Sequence, residues 1–516
     1  MTNAALTPAA QKNLRFAIYW MLILTSASVM VGRILNVKSQ SGETPFLSAN
    51  DRSRWLTVRA LVDHGTYEID EVITEKSDWN SIDKVRHKGK DKDGKDAEDH
   101  YYSSKPPLLP TILAGEYWLI KKLTSATLEE HPFYVARIML IVTNVVPLVF
   151  ALFLMAQIVE KYGRTVWGRM FVMLFVTWGT FVTPFAITIN NHVPAVVGVI
   201  VALRMTMAIW SESKRGWHLF ILAGFFAAFA AANELPAVSF LAVVTVAVLI
   251  KSPLKTFVAF LPTVAIVAGA FFYTNYLAHD TWRPPYAHRH DGEILETFSG
   301  SAAATLDEGE LPIGWATRLR QSKNAITLSA ETQVEPGVVM WQPSKPIWKF
   351  WAETPARVER RWIVWDPDGN DRLAIVQLQG SGVLEVREWD NWYDYETSNW
   401  TPDKRKGVDR GEPSRADYAL HMLVGHHGVF SLTPVWVLSL FGLGMLLGLP
   451  SRRLRTFAVM VVAISFVCVA FYVLRPVQDR NYGGVSYTMR WLIWLTPLWV
   501  VCLLPAADAM STNRWW

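Results

Sequence analysis

The chain has 516 residues, of which 51% are hydrophobic and 18% charged, and its mean hydropathy is +0.17. Apolar and charged residues must therefore be segregated along the sequence, which is typical of a polytopic membrane protein with sizeable water-exposed loops and not of a small soluble domain. The net charge of +5 does not indicate nucleic-acid binding, because the basic residues lie mainly in short clusters between apolar segments, where membrane orientation explains them.

Ten apolar segments predict membrane-spanning helices. The first, from Leu14 to Val31, contains Ser26-Ala27-Ser28, which resembles a signal-peptidase site, but its length favours a retained span. The two cysteines, Cys468 and Cys502, lie inside apolar segments and are expected to pack as small hydrophobic side chains. The other nine segments lie at about 133–158, 166–186, 193–210, 217–234, 236–250, 256–277, 428–449, 454–474 and 489–507.

The short basic loops orient these spans. With the N-terminus inside, every short cluster of Lys and Arg falls on the inner side, as the positive-inside rule requires. Counting Leu108 to Leu123 as a further span would reverse that bias, so this segment is predicted to be an interfacial helix on the outer face. We therefore expect a multi-pass protein of the inner (cytoplasmic) membrane with both ends inside. The clusters are 161–169, 214–215, 251–255 and 452–455.

This topology divides the chain into three parts. Residues 1–277 form an N-terminal transmembrane module with an outer loop at 34–132, residues 278–427 an extracytoplasmic domain, and residues 428–516 the C-terminal transmembrane helices. The middle of the first loop, Asp83 to His100, is rich in charge and predicts a solvated, flexible hairpin.

The extracytoplasmic domain is predicted to be largely β. The segments Arg361 to Trp365, Leu373 to Leu378 and Val383 to Glu388 have the composition of strands, and a turn is expected from Asp366 to Asp371.

The first outer loop carries the strongest candidates for chemistry. It begins with Asn50-Asp51-Arg52-Ser53-Arg54-Trp55 and ends with Tyr102-Ser103-Ser104-Lys105-Pro106-Pro107. An acidic residue and a lysine at one water–lipid boundary can supply a general base and a phosphate partner. Two alternatives stay open: Asp51 as a helix N-cap, and Lys105 as an interfacial lysine that reaches towards water.

With Gly65 to Asp70 between them, these motifs resemble the first outer loop of GT-C class glycosyltransferases, especially the lipid A aminoarabinose transferases and protein O-mannosyltransferases. The resemblance covers roughly residues 10–210. It implies a sugar donor carried on polyprenyl phosphate, with Asp51 activating the acceptor and Lys105 contacting the donor phosphate. A second acidic residue expected in such families is replaced here by Asn190-Asn191-His192, which weakens any claim of metal binding.

A short outer loop near the C-terminus adds arginines on the side where the positive-inside rule disfavours them, which indicates an anionic partner. Arg490 and Arg480 are therefore predicted contacts of the donor phosphate, and Gly483-Gly484 would let the backbone approach the ligand. Pairing of Arg490 with lipid headgroups is the alternative.

The remaining candidates are polar or aromatic side chains expected to contact substrate. Asn191 and His192 could instead cap the fourth span. Several histidines lie near the ends of the extracytoplasmic domain, but no Cys/His spacing matches a zinc site, so no cofactor is predicted and a divalent metal lacks support. The predicted substrate-binding residues are Asn50, Arg54, Asn191, His192, Tyr102, Tyr482 and His427.

Together these features predict an α-helical polytopic membrane protein of about ten transmembrane helices, GT-C-like, with a largely β extracytoplasmic domain. The expected function is glycosyl transfer, mannosyltransferase-like, from a polyprenyl-phosphate-linked donor to a glycan, lipid or protein acceptor of the cell envelope, at the outer, periplasmic face. Membrane lipid is an expected partner and nucleic acid is not. The alternative is a transporter or flippase of lipid-linked saccharides, which would need ionisable residues at mid-membrane and not at one face.

Overall fold

The computed structural model describes residues 7–74, 77–89, 99–323, 325–337, 339, 358–366, 371–401, 404–484 and 486–512. Helices dominate these residues. In chain order, the helices of more than eight residues are α1 Pro8–Asn36, α2 Ala49–Asp63, α3 Leu108–Thr124, α4 Pro132–Tyr162, α5 Val166–Phe185, α6 His192–Trp210, α7 Trp217–Asn233, α8 Leu235–Lys251, α9 Pro253–His279, α10 Arg415–Leu423, α11 Val435–Gly448, α12 Arg452–Val473 and α13 Arg490–Ser511.

Each of the ten predicted apolar segments forms a helix. Within the described ranges, seven helices are long and apolar enough to cross a membrane, namely α1, α4, α5, α6, α9, α12 and α13. The remaining three, α7, α8 and α11, are apolar but shorter than 18 residues. The structure therefore agrees with a polytopic membrane protein, whereas the count of ten crossings stays a prediction. Cys468 and Cys502 are both free and buried, as expected.

A break between α7 and α8 places one acidic side chain among apolar helices. The Glu234 amide still donates to the Ala230 carbonyl at 2.8 Å, but its own backbone is extended, with φ −130° and ψ 103°. Pro236 follows in the first turn of α8, where its missing N–H is tolerated. The sequence Glu-Leu-Pro thus ends one helix and starts the next, with Glu234 at the junction.

The predicted strands are confirmed within a five-stranded antiparallel sheet of order β3-β7-β6-β5-β4. The predicted turn at 366–371 includes residues 367–370, which lie outside the described residues. Two short helices that the sequence analysis did not predict, Ala303–Asp307 and Trp315–Gln321, cover the sheet with apolar side chains such as Leu319. The strands are β3 Ile294–Ser299, β4 Gln333–Pro336, β5 Val358–Asp366, β6 Asp371–Leu378 and β7 Val383–Glu388.

A buried ion-pair triad ties two segments that flank this sheet to strand β5. Arg361 on β5 contacts Asp291 at 2.6 Å and Asp394 at 2.5 Å, and all three side chains are buried. Asp291 precedes β3 and Asp394 follows β7, so the triad holds the segment before the first strand and the segment after the last strand against β5.

The prediction of a solvated hairpin at Asp83 to His100 is wrong for its two flanks. They form an antiparallel pair, β1 Lys84–Lys88 and β2 Asp99–Ser103. Val85 and Tyr102 from this pair are buried against Trp392, because alternate residues of the short strands are apolar or aromatic and face the larger sheet region. Residues 90–98 lie outside the described residues.

The two long loops contact each other at one end of the helices. The Arg86 amide donates to the Trp392 carbonyl at 2.8 Å, and the Trp400 indole donates to the Ile82 carbonyl at 2.8 Å. These bonds place residues 34–132 and 278–427 on the same side of the helix bundle. Helix α3 packs against α2, and Lys121 contacts Asp63 at 2.7 Å; its predicted position at the membrane surface stays a prediction.

Candidate functional site

A cavity of about 700 Å³ lies where these loops meet the helix ends. Its wall is assembled from the start of α2, the segment between β2 and α3, the α7–α8 junction, α9, and the loop between α12 and α13. Residues of the region after α9, such as Tyr286, Trp400 and Asp409, complete the wall. Parts of the chain that are far apart in sequence therefore share one concave surface, which is the usual setting of a binding site.

One side of the cavity is strongly cationic. The lining residues include the three predicted cations Arg54, Lys105 and Arg490. They also include three arginines that had no predicted role or only a general one, namely Arg52, Arg289 and Arg475. The acidic lining residues are Asp83, Glu234, Asp409 and Asp479.

Among the described residues, Lys105 is the only one of the three predicted cations that has a carboxylate partner. Lys105 contacts Asp83 at 3.0 Å. Arg54 donates to the Asn50 carbonyl at 2.9 Å, to the Asn50 side chain, and to Asn191 Oδ1 at 2.9 Å, all of which are neutral acceptors. Within the described part of the chain, Arg490 forms no hydrogen bond or ion pair, and its Nε is buried without a partner. An anion in the cavity would therefore meet unneutralised positive charge.

Burial makes this charge costly in the empty cavity. Burial, together with the charge of the nearby Arg490, lowers the pKa of Arg54 to about 10. Burial also lowers the pKa of Lys105 to about 8, although the Asp83 carboxylate acts in the opposite direction. A bound anion would offset both effects, because an opposite charge nearby favours the charged form of each base.

The other side of the cavity is apolar. Leu235, Val238 and Leu241 from α8 and Val264 and Phe272 from α9 line it. Leu235, Val238 and Phe272 are also about half exposed on the outside of the helices, so the apolar wall continues onto the surface that would face lipid. The cavity thus combines a cationic wall for an anionic group with a lateral apolar wall for a hydrocarbon chain.

Asp51, the predicted catalytic base, does not line this cavity. Its Oδ2 accepts from the Leu47 amide at 3.1 Å and its Oδ1 from the Ile189 amide at 3.0 Å, while Ser48 caps the start of α2. The side chain is buried, and burial raises the pKa of Asp51 to about 6. The N-cap of α2 is thus Ser48, and the N-cap alternative for Asp51 is wrong: Asp51 lies in the first turn of the helix, where both of its oxygens bind backbone N–H groups and not a group in the cavity.

Two further predicted residues form hydrogen bonds with Glu234. Asn191 Nδ2 donates to Glu234 Oε1 at 2.7 Å, and His192 Nδ1 contacts the same oxygen at short distance. Asn191 also lines the cavity, whereas His192 is buried behind it. Asn50 lines the cavity and holds Arg54, so its contribution to the site is through that arginine.

Besides Asp51 and His192, four predicted site residues lie outside the cavity lining. Tyr102 donates to Glu68 at 3.2 Å and stacks on His87. Arg480 donates to the Pro413 carbonyl at 2.8 Å, so it is used in joining two loops and not as a free cation. His427 and Tyr482 stack on each other with ring centroids 4.6 Å apart, and neither belongs to the cavity wall.

The sequence analysis missed several residues that the structure brings into the cavity. Asp83 lies in the segment that was predicted to be solvated, and Asp409 and Arg289 lie in the region between α9 and α11 with no motif around them. Glu234 gave a signal that could have been used, because an acidic residue between two apolar segments is uncommon and often functional.

A second cavity of about 400 Å³ lies at the opposite end of the helices, between α6, α8, α11, α12 and α13. Its lining is mostly apolar, and its one carboxylate, Asp508, accepts from the Arg164 and Thr165 amides at 2.8 Å. It offers no free acid or base for chemistry, so the cationic cavity is the candidate site.

The described residues contain no group of three or more His, Cys, Asp or Glu side chains arranged to hold a metal ion. No protein-family model, curated protein or solved structure was found to match the chain.

Proposed function

We propose that this protein is a membrane glycosyltransferase of the GT-C type, which transfers a sugar from a polyprenyl-phosphate-linked donor to an acceptor. One observation carries the proposal: a single cavity joins a cationic wall, in which Arg490 has no partner among the described residues, to an apolar wall that opens on the side of the helices. A lipid-linked phosphate has the matching chemistry, because its headgroup is anionic and its chain is hydrocarbon. The motifs around Asp51 and Lys105, which resemble those of GT-C enzymes, support the choice of glycosyl transfer.

In this proposal the donor phosphate lies between Arg490, Lys105 and Arg54. The first part of the polyprenyl chain follows α8 and α9 past Leu235 and Phe272 towards lipid. The sugar then faces the polar remainder of the cavity, where Tyr286 and Trp400 stand on the side from which a glycan, lipid or protein acceptor approaches. The site faces the periplasmic side of the inner membrane.

The cations would contribute most as the sugar leaves. When the bond between the sugar and the phosphate breaks, negative charge grows on the phosphate, so fixed positive groups bind the transition state more tightly than the donor. Asp83 holds Lys105 by an ion pair and would position it for this contact.

Reconstituted protein supplied with a polyprenyl-phosphate sugar and candidate acceptors tests the proposal. Free carrier phosphate should be released only when an acceptor is present. Arg490→Met should lower turnover at saturating donor by about 10- to 1000-fold, because it removes a charge that acts on the leaving phosphate. Arg320→Met is the matched control, since Arg320 is exposed in the extracytoplasmic region and outside the cavity.

A transporter or flippase would give a different result. Intact donor would then move between leaflets with no release of carrier phosphate under any acceptor, and that outcome would overturn the proposal.

A further inference from the structure

We propose that Glu234, and not Asp51, is the general base that removes the proton from the acceptor, with Asn191 and His192 as the residues that position its carboxylate. This inference rests on the proposed transfer reaction. It begins from the observation that the reaction needs a base within reach of the donor phosphate site, while both oxygens of Asp51 are used by backbone amides away from the cavity.

The other cavity carboxylates are less suited to the task. Asp83 is ion-paired with Lys105, and although burial raises the pKa of Asp83, the Lys105 ammonium holds it below its usual value. Asp479 contacts Arg289 at 2.7 Å and Arg475 at 3.4 Å. Against the effect of burial, these arginines lower the pKa of Asp479 to about 2. A carboxylate stabilised in this way by cations has lost most of its affinity for a proton.

Two carboxylates then remain, Glu234 and Asp409. The Asp409 amide donates to the Lys406 carbonyl at 3.2 Å, but among the described residues no hydrogen bond or ion pair fixes the direction of its carboxylate. Glu234 is only 4% exposed and is held by two side chains from the start of α6. A general base must be held at hydrogen-bonding distance from the proton it takes, which favours the carboxylate that is already fixed.

The two oxygens of Glu234 differ in a way that suits a base. Oε1 accepts from both Asn191 and His192. In the described residues no donor reaches Oε2, although Glu234 lines the cavity, so this oxygen has free lone pairs. No Lys or Arg is paired with the carboxylate, and the partners that hold it are an amide and an imidazole. Glu234 is therefore held in place through one oxygen while its other oxygen stays open to the cavity.

The location of Glu234 also requires a reason. It stands at the junction of α7 and α8, next to apolar side chains such as Leu235 and Val238. Burying a carboxylate beside apolar helices is unfavourable, and such residues usually line substrate paths or proton routes. The same carboxylate faces the cavity that contains Arg490, the one central cation without a partner in the described structure.

The chemical step balances with these groups alone. The acceptor O–H or N–H gives its proton to Glu234 Oε2, and the lone pair of that acceptor atom forms a bond to the anomeric carbon. The bond from the anomeric carbon to the phosphate oxygen breaks, and its electron pair leaves with the polyprenyl phosphate, which Arg490 and Lys105 bind.

Glu234→Gln tests the assignment in full-length reconstituted protein. The amide can still face Asn191 but cannot take a proton, so turnover should fall by about 100- to 10,000-fold while donor binding changes little. Glu234→Asp, which keeps a carboxylate, should retain part of the activity, and it keeps the test valid if the glutamine variant does not fold.

Asn191→Ala tests the positioning role. Turnover should fall in this variant, because Glu234 loses one of the two donors that hold its Oε1. In the Glu234→Gln background the same substitution should cost little further turnover, whereas a role through Arg54 or in packing would lower turnover equally in both backgrounds.

Two results would overturn the inference: a folded Glu234→Gln protein with near wild-type turnover, or loss of turnover in Asp409→Asn or Asp51→Asn while Glu234→Gln stays active. Both need a wild-type protein that releases carrier phosphate. Absence of that release in the wild type would instead count against the proposed function, so the two failures are distinguishable.

Discussion

Replacing Lys105 with arginine keeps a positive charge in the cavity but removes a group that titrates close to neutral pH. Burial lowers the pKa of Lys105 from 10.5 to about 8. The pKa of Arg54, which is buried in the same cavity, is lowered only to about 10. An arginine at position 105 should therefore stay charged to a pH about two units higher than Lys105 does. If the charge at this position stabilises the leaving phosphate, the pH dependence of transfer must follow the titration of Lys105.

The size of the effect follows from the two pKa values. With a pKa of about 8, the charged fraction of Lys105 falls from about 90% at pH 7 to about 10% at pH 9. Wild-type kcat/KM, which reports the free enzyme, should therefore fall by roughly tenfold over this range. With a pKa near 10, Lys105→Arg should lose less than about twofold over the same range, even if its turnover at pH 7 is reduced.

The rate of carrier-phosphate release at limiting donor concentration, followed from pH 7 to pH 9, measures this pH dependence of kcat/KM. Asp83→Asn serves as a second variant, because the Asp83 carboxylate raises the pKa of Lys105 and its removal should move the basic limb to lower pH. An identical basic limb in the wild type and in Lys105→Arg would show that Lys105 does not supply the titrating charge, and the proposed phosphate contact would then be refuted.

Three further predictions concern the fold and the membrane arrangement. Asp51→Asn should retain transfer within about tenfold. Because burial raises the folded pKa of Asp51 to about 6, the free energy of unfolding of the wild type should fall by up to about 3 kcal/mol as pH rises from 4 through 6. Thermal unfolding in detergent should show a smaller fall in the variant. Inactivity of a well-folded Asp51→Asn protein would restore Asp51 as the base. In intact cells, Ile313→Cys should react with an impermeant thiol reagent and Lys214→Cys should not. Ile313 is fully exposed in the region predicted to be outside, and the two native cysteines are buried. The opposite labelling would invert the topology. Arg361→Met should destabilise the five-stranded sheet by about 3–5 kcal/mol because it leaves its two buried carboxylate partners without a cation, and an unchanged unfolding temperature would contradict this.

The helices and strands could be predicted because their signals are local. A long apolar run forms a helix wherever it is placed in a membrane, and the short apolar run from Leu373 to Leu378, which follows a turn sequence, indicates a strand without knowledge of its partners. The helices that cover the sheet, including Trp315–Gln321, were missed because they are short and their apolar residues have meaning only against the sheet.

The residues that line the cavity could be predicted only in part, because contacts between distant segments decide where each side chain points. Arg480 and Arg490 lie in the same loop, yet Arg480 bonds to the Pro413 carbonyl while Arg490 faces the cavity without a partner in the described structure. The direction of Asp51 is fixed by the Ile189 amide, 138 residues later. No pattern within a single loop contains that information.

The bonds between the two long loops also set an order of events during synthesis. The Tyr395 hydroxyl donates to the Lys84 carbonyl across 311 residues. At a synthesis rate of 5–20 residues per second, the β1–β2 hairpin waits about 15 to 60 seconds for that partner. During this interval Val85 and Tyr102 lack the aromatic surface that later covers them. The hairpin therefore stays uncovered in the nascent chain during this interval, and the cavity cannot be complete before Arg490 and Trp491, which also line it, have been synthesised.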